Sequence, residues 1–437
     1  MLDIKEVMRN TSLIQSNADR RSIVVDVWLV VSLYKECTTI LQSIELLKHR
    51  RNQISWNFIS ASNKSWLQEE ARKIKEEAGS LSEKLEKLIR LYTEEALKIP
   101  NLTHPNVPDW SGENENMVIR EVGERRVFNF EPLDHVELGK RLDIIDFEAW
   151  TKVAWPKFYY LKNDGVLLEN ALVQFALWVA IKNGFKPMVT PVLAKDSVLE
   201  GAWFNPRGSE DHIFKVWNAW SESTDWIGNE TSNRVLNLIG TSEITVGGYF
   251  QWKVLSEWDL PLKIAGITDC FRKEIGSGRL SKWLYRVPNF KKVELFQIVK
   301  PEDGDVVLLQ ILDIEESIFR ELGLPYRVQN ICAGDMGGPA YQKFDIEAWM
   351  PAIEKGGRYW EVTSCSNCTD FQARRWNIKY KNAQWKNKYV HTLNGTAVAT
   401  TRAFLAILEN FQNPDGTVTI PEVLRPYMYG KSIIDWK

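Results

Sequence analysis

The sequence predicts an α+β protein in two parts. Residues 1–105 form an N-terminal antiparallel α-helical coiled-coil arm, and residues 106–437 form a larger domain built on a mainly antiparallel β-sheet flanked by helices. Three observations predict this. Apolar residues recur with alternating spacings of four and three between about 30 and 100. A stretch rich in Pro, Asn and Gly follows at 101–115. Beyond it, short β-like runs crowd the middle of the chain without the regular strand–helix alternation of a parallel sheet.

In the arm, Leu67, Ala71, Ile74, Ala78, Leu81, Leu85, Leu88 and Tyr92 fall on a heptad seam, which keeps one apolar stripe facing a partner helix. Leu33, Cys37, Ile40, Ile44, Leu47, Ile54 and Phe58 keep the same rhythm, with Arg51 as a charged intruder. The polar run at 60–65 separates the two segments and predicts a turn, so the second helix returns antiparallel to the first. At a rise of about 1.5 Å per residue, each helix would be roughly 40–50 Å long. A dimerisation coiled coil and an arm that touches a long ligand both fit this spacing. Pro100 closes the second helix, because a residue before proline is pushed away from the helical region.

In the larger part, residues 189–193, 264–270, 293–299 and 361–364 predict strands, and 171–181, 313–322 and 396–409 predict helices. With 44% hydrophobic and 26% charged residues, such a domain can bury a large core. The net charge of −2 excludes a global basic field, so any nucleic acid must be met by a local patch. The first residues, Met1-Leu2-Asp3-Ile4-Lys5-Glu6, lack the pattern of a secretory leader. The apolar stretch 23–33 is too short to span a bilayer and contains Asp26, which predicts no membrane association. Five sparse cysteines predict reduced thiols and a cytoplasmic location.

No Gly-x-x-x-x-Gly-Lys-Ser/Thr loop and no Gly-x-Gly-x-x-Gly is present, so a nucleotide site would need another way to hold phosphates. Arginine offers one, since its planar fork pairs with phosphate oxygens and stacks on aromatic faces. Arg272 and Glu274 fall on one face of a predicted strand by period two, and Phe290, Lys292 and Glu294 fall on one face of the strand returning from Arg286. An Arg, a Glu and a Phe facing one pocket suit a phosphate, an amine and a flat base. A charged surface hairpin has the same composition. Cys365-x-x-Cys368 lacks the second pair that a structural zinc site needs.

Phe271-Arg272-Lys273-Glu274, with Arg286-Val287 and Phe290-x-x-x-Glu294, resembles motif 2 of class II aminoacyl-tRNA synthetases in their seryl form. The run 394–402, Asn-Gly-Thr-Ala-Val-Ala-Thr-Thr-Arg, resembles motif 3, and Pro191 resembles the motif 1 proline of a dimer interface. Thr241-Ser242-Glu243, Glu361-Val362-Thr363-Ser364-Cys365-Ser366-Asn367, Asp370-Phe371-Gln372-Ala373-Arg374-Arg375 and His391-Thr392-Leu393-Asn394 resemble the seryl enzymes specifically, as does the run 421–427. The resemblance covers nearly the whole chain, arm included.

That resemblance implies activation of serine with ATP to seryl-adenylate, then transfer to the 3′ end of tRNA(Ser), with tRNA(Sec) as a further candidate. Its catalytic residues would be Arg272, Glu361 and Arg402. Arg272 would grip the α-phosphate, Arg286 would reach the γ-phosphate, and Phe290 and Arg402 would sandwich adenine, with Glu274 near its amine. Glu361 and Ser364 would bind Mg2+. Thr241, Glu243, Arg272, Glu294, Asn394 and Thr396 would line the serine pocket, with Glu294 on the ammonium. The arm would meet tRNA phosphates through Lys48, Arg50, Arg51, Lys64, Arg72 and Lys73, although interspersed glutamates also suit a plain solvated surface. A homodimer is implied by Pro191. An amino acid:carrier protein ligase, whose class II members resemble a core without the arm, and a non-catalytic paralogue remain alternatives.

Two departures stand out. The motif 2 loop is about one residue shorter than in common seryl forms, and Pro288 stands where many have histidine. The second is 19 tryptophans against 25 glycines. Trp349 matches the family, but Trp110, Trp150, Trp155, Trp203, Trp252, Trp283 and Trp385 fall where glycine is expected, and Trp110, Trp226 and Trp436 follow Asp as a turn glycine would. This pattern would arise if UGA, which some bacterial lineages read as glycine, had been translated as tryptophan.

Overall fold

The computed structural model describes residues 2–57, 64–109, 112, 115–146, 149–153, 157–204, 213–216, 235–273 and 283–436. The chain divides into two compact units, Met1–Leu102 and Thr103–Lys437.

The first unit contains α1 (Ile4–Arg9), α2 (Thr11–Arg20), α3 (Val27–Asn57) and α4 (Lys64–Leu97). Helices α3 and α4 run antiparallel: the Tyr34 and Tyr92 rings lie 5.7 Å apart, Lys84 pairs with Glu36 at 2.8 Å, and Arg50 pairs with Glu70 at 2.5 Å. The heptad seam is the buried stripe. Leu33, Cys37, Ile40, Ile44, Ile54, Leu67 and Ile74 are buried, while Arg51 points to solvent. The turn expected at 60–65 and Phe58 fall mostly outside the described residues. Near the base, Asn17 and Arg21 both donate to the Asn101 carbonyl, at 3.0 and 2.8 Å, and so hold the end of the unit to α2.

The second unit is organised by an eight-stranded sheet. Its strands are β1 (Met117–Val122), β2 (Lys186–Val189), β3 (Leu262–Phe271), β4 (Asn289–Val299), β5 (Tyr326–Asn330), β6 (Gln342–Met350), β7 (Arg358–Asn367) and β8 (His391–Ala399). They lie in the order β1-β5-β6-β7-β8-β4-β3-β2, antiparallel throughout except for β2 beside β3. The helices that shape the site are α5 (Asp164–Lys182), α6 (Asp196–Ala202), α7 (Ser242–Tyr249), α8 (Gly304–Glu321), α9 (Phe371–Trp376) and α10 (Thr400–Asn410). The main core joins α5, α8 and α10 to one face of the sheet, and a second core gathers α6, α7 and α9.

Two boundaries differ from the sequence reading. The strand expected at 189–193 is two strands, Lys186–Val189 and Leu193–Lys195, with Pro191 between them. Proline supplies no N–H to a ladder, so the pairing breaks there. The helix expected from 396 begins at Thr400, because 391–399 continues as β8. Alternation decides this: Leu393 and Ala397 enter the main core, while Asn394 and Thr396 face the cleft. Among the described residues, α5 alone is long and apolar enough to cross a membrane by length and composition. Its Leu168, Leu172, Phe175 and Ala176 are instead buried in the main core.

The tryptophans divide by environment. Trp376 is fully buried, and its indole donates to the Val198 carbonyl at 2.9 Å. Trp349 is buried as well. Trp203, Trp252 and Trp385 instead have left-handed backbones, with φ of 48°, 66° and 60°. Trp110, Trp155, Trp226 and the side chains of Trp150 and Trp283 lie outside the described residues.

Candidate active site

Strand β4 carries the centre of the site by its period-two pleat. Val293, Leu295 and Val299 enter the main core, so Phe290, Lys292 and Glu294 are presented to the opposite face, where Phe296 and Ile298 continue into the second core. The three face a cleft of about 140 Å³. It is completed by Thr241 and Glu243 at the start of α7, Arg272 just past β3, Arg286 before β4, Glu361 and Ser364 on β7, Asn394 and Thr396 on β8, and Arg402 in α10. The sequence-predicted nucleotide and serine residues are thus brought together from six elements, except Glu274, which lies outside the described residues.

Gly266 makes this convergence possible. It pairs with Glu294 across the β3–β4 ladder, and a Cβ there would stand 2.5 Å from the Ser242 Oγ. With a hydrogen in its place, the first turn of α7 lies directly on the sheet and carries Thr241 and Glu243 to the Glu294 carboxylate. Thr241 is the N-cap of that helix.

The guanidinium of Arg272 lies between two rings, 5.5 Å from the Phe204 centroid and 5.4 Å from that of Phe290, and its Nε donates to the Gly240 carbonyl at 3.3 Å. Stacking holds the plane in position before any ligand arrives. Arg402 is anchored by Nη1, which donates to the Glu361 carbonyl at 2.9 Å and lies 3.3 Å from its Oε2. Burial alone would raise the Glu361 pKa, but Arg402, then Lys343 and Arg272, outweigh it and hold the carboxylate below the usual range.

The other end of the cleft is acidic and enclosed. Glu243 Oε1 accepts from Gln372 and from Asn394, both at 2.7 Å. Burial, reinforced by the neighbouring Glu294 charge, pushes Glu243 up to about 7. Burial also raises Glu294, against the opposing charges of Lys292 and Arg272. Lys292 forms a salt bridge with Glu294, and its Nζ lies 3.4 Å from Thr396 Oγ1. The site therefore has a cationic, aromatic end for a polyphosphate and a flat ring, and a small anionic end for an amine with a polar tail.

The sequence reading placed Lys292 on the cleft face without assigning it a role, and it gave no role to Gln372. The signal for Lys292 was its even spacing from Phe290 and Glu294. Gln372 lay within the run 370–375, but only the packing of α9 puts its amide behind Glu243 while its Oε1 accepts from Thr392 at 2.8 Å. Cys368 sits behind the same pocket, where Asn394 Nδ2 approaches its sulfur to 3.6 Å. His391 begins β8 and is not among the cleft residues.

Glu361, kept ionised by Arg402, and the Ser364 hydroxyl both line the cleft and offer oxygen donors that suit a hard divalent cation. Mg2+ typically takes one or two protein oxygens and fills its shell with water and phosphate. The residues present therefore fit that ion.

In the helical unit, Lys48, Arg50, Arg51, Arg72 and Lys73 are exposed. Arg50 is held by Glu70, and Arg72 bridges Glu69 and Glu76, both at 2.8 Å, with Lys73 3.8 Å from Glu69. The Lys64 side chain lies outside the described residues. Solvent screens exposed pairs of this kind, so each contributes little to stability.

Residues 1–103 match the family model for the seryl-tRNA synthetase N-terminal domain, and residues 226–411 match that for the class II tRNA synthetase core domain of the G, H, P, S and T enzymes. The chain is 43% identical to the serine–tRNA ligase of Treponema denticola over 431 residues, covering 98% of each chain. Among solved structures it resembles the seryl-tRNA synthetase of Pyrococcus horikoshii complexed with ATP, with TM-score 0.87, 36% identity and full coverage of both chains. It also resembles the cytoplasmic serine–tRNA ligase of Naegleria fowleri in complex with AMP, with TM-score 0.83 and 29% identity over 100% of this chain and 99% of that one.

Proposed function

The chain belongs to the seryl-tRNA synthetase family, and from that premise we propose how its cleft divides the labour of joining serine to tRNA. The protein activates serine with ATP to seryl-adenylate and transfers the seryl group to the 3′ end of tRNA(Ser). The observation that carries the division is the polarity of the cleft, with Arg272, Phe290 and Arg402 at one end and Glu243 and Glu294 at the other.

In the first step a serine carboxylate oxygen bonds to the α-phosphorus of ATP as the bond to pyrophosphate breaks. Arg272, already fixed between two rings, takes the charge that develops on the α-phosphate. Arg286 and Arg402 hold the outer phosphates, and Phe290 with Arg402 encloses adenine, with Glu274 near its amine. Mg2+, held by Glu361 and Ser364, would supply charge neutralisation on the phosphates. No protein nucleophile is needed, because positioning and charge stabilisation suffice for in-line transfer. In the second step a terminal ribose hydroxyl of tRNA bonds to the seryl carbonyl carbon and AMP leaves.

Glu294 receives the serine ammonium, while Thr241, Glu243, Asn394 and Thr396 shape the pocket for its hydroxymethyl group. A polar pocket of this kind rejects alanine strongly, since its buried groups would lose their partner, and excludes threonine by size. Residues up to about 105 would hold the tRNA through Lys48, Arg50, Arg51, Lys64, Arg72 and Lys73, and 106–437 would carry out aminoacylation. Charging of tRNA(Sec) belongs to the same proposal. A homodimer through the edge of the sheet is supported by the exposed Val189 and Pro191 beside β2. A cytoplasmic location is supported by five buried, unbridged cysteines, as expected of a reducing compartment.

ATP–pyrophosphate exchange with serine, followed by charging of tRNA(Ser) transcripts, tests the proposal. Serine-dependent exchange that leads to charging is expected. Exchange without charging would favour a carrier-protein acceptor, and absence of exchange would favour a non-catalytic paralogue.

A further inference from the structure

We propose that Lys292 is a positioning residue that sets the charge of the amino-acid pocket, occupying Glu294 before the substrate ammonium arrives and leaving the pocket one negative charge for that ammonium to neutralise. This deepens the serine-pocket reading and rests on it. Glu243 and Glu294 face one enclosed space, joined through Thr241, Thr396 and Asn394. Two carboxylates so close and so buried cannot both stay ionised without a counter-cation. The Lys292 ammonium supplies it: its side chain is 6% exposed and Glu294's is 3% exposed, so the pair is cut off from screening solvent. Lys292 also reaches Thr396 Oγ1, itself 3.5 Å from Glu294, so one cation fixes both groups on the pocket floor.

The other ionisable groups facing this pair are Glu243 from α7, Cys270 on β3, Arg272 just beyond it and Glu315 from α8. Burial pushes the Cys270 thiol up to about 12, so it is neutral near pH 7, and burial makes Glu315 hold its proton more tightly than an ordinary carboxylate. Arg272 is held between Phe204 and Phe290 with its Nε on the Gly240 carbonyl, and the proposed reaction commits its charge to the α-phosphate. What remains is two carboxylates and one ammonium, and a second ammonium makes the pocket neutral.

Serine-dependent exchange by the wild-type chain is measured first, and its absence would count against the functional reading rather than against this inference. The pH profile of kcat/KM for serine is then compared among wild type, K292M and the double variant K292M/E243Q. Without the lysine, Glu243 keeps its proton to a pH above about 7, because the Lys292 charge no longer opposes its burial. K292M is therefore expected to move the acid limb upward by about one pH unit and to raise the serine KM near pH 7 roughly tenfold, with the ATP KM little changed. The double variant again has a single charge and should return the limb toward its wild-type position. An unmoved limb in K292M, or losses that simply add in the double variant, overturns the proposal. If K292M does not fold, K292R carries the test: it keeps the cation and the limb, and a displaced limb overturns the idea.

A different observation carries a second inference, that positions 203, 252 and 385 hold glycine in the organism's own protein because UGA is read there as glycine. Left-handed backbone strains a residue with a Cβ, whereas glycine adopts it freely. Trp203 is the left-handed C-cap of α6. Trp385 closes the turn between Lys379–Lys381 and Asn387–Tyr389, and its N–H donates to the Asn382 carbonyl at 2.9 Å. Trp252 donates to the Trp376 carbonyl at 2.9 Å. The rings at 252 and 385 are 69% and 79% exposed, so little packing offsets the strain. Peptide mass spectrometry of protein from its natural source should find glycine at all three positions. In the tryptophan-bearing chain, W252G/W385G should raise Tm by roughly 2 °C or more. Tryptophan in the native peptides, or a lowered Tm, sinks the inference.

Discussion

At Glu243 burial competes with hydrogen bonding, and burial wins. Two amides reach its Oε1, yet enclosure and the Glu294 charge raise it to about 7. The folded state therefore holds this proton more tightly than the unfolded chain, where glutamate titrates near 4.3. The resulting stabilisation is complete below about pH 4.3 and is lost as pH rises through about 7. Glu243→Gln, neutral at every pH, should remove this dependence. Its stability relative to wild type should improve between pH 5 and pH 8 by on the order of 2 kcal/mol, read from denaturant melts at each pH. An unchanged difference across that range would show that Glu243 ionises freely. The identity of this residue was legible as part of Thr241-Ser242-Glu243, but its protonation was not, because that depends on Gln372 and Asn394, well over a hundred residues further along the chain.

Among the elements, those with a strong internal rhythm were legible and those defined by a partner were not. The α3–α4 seam was readable because a heptad stripe has one way to be buried: Leu33, Cys37, Ile40, Ile44, Ile54, Leu67 and Ile74 are enclosed, while Leu47, Ala71, Ala78, Leu81, Leu85, Leu88 and Tyr92 are half-buried. The returning strand β4 was readable in part, since Phe290, Lys292 and Glu294 keep period two. The end of β8 was not, because no Gly or Pro marks the boundary between 399 and 400, and the conformation changes at Thr400 where pairing with β4 ends. A local pattern cannot report where a neighbour's ladder stops. The rings either side of Arg272 show the same limit: Phe290 was in the motif, whereas Phe204 comes from just past α6.

For the molecule as a whole, a net charge of −2 means that RNA cannot be gathered by bulk attraction. Recognition must rest on a few cations, so its salt dependence should be traceable to them. In the helical unit Lys48 and Arg51 are exposed on α3. The double variant K48E/R51E should raise the KM for tRNA(Ser) in charging by roughly tenfold at low salt, and should flatten the dependence of that KM on salt concentration. An equal loss in tRNA-independent serine exchange would instead report damage to the fold. An unchanged tRNA KM would remove both residues from the interface.

The sequence by itself determined the helical arm, the antiparallel α+β character of the rest and the suspicion over misplaced tryptophans. Each of these is written in local spacing or in residue type. Only the tertiary structure decided that Lys292 neutralises Glu294, that Gln372 supports Glu243, that Glu361 stays ionised beside Arg402, and that three tryptophans occupy backbone suited to glycine. The reason is physical: protonation and pairing depend on the dielectric and on charges brought together from distant parts of the chain, and strain depends on a dihedral angle that the fold imposes.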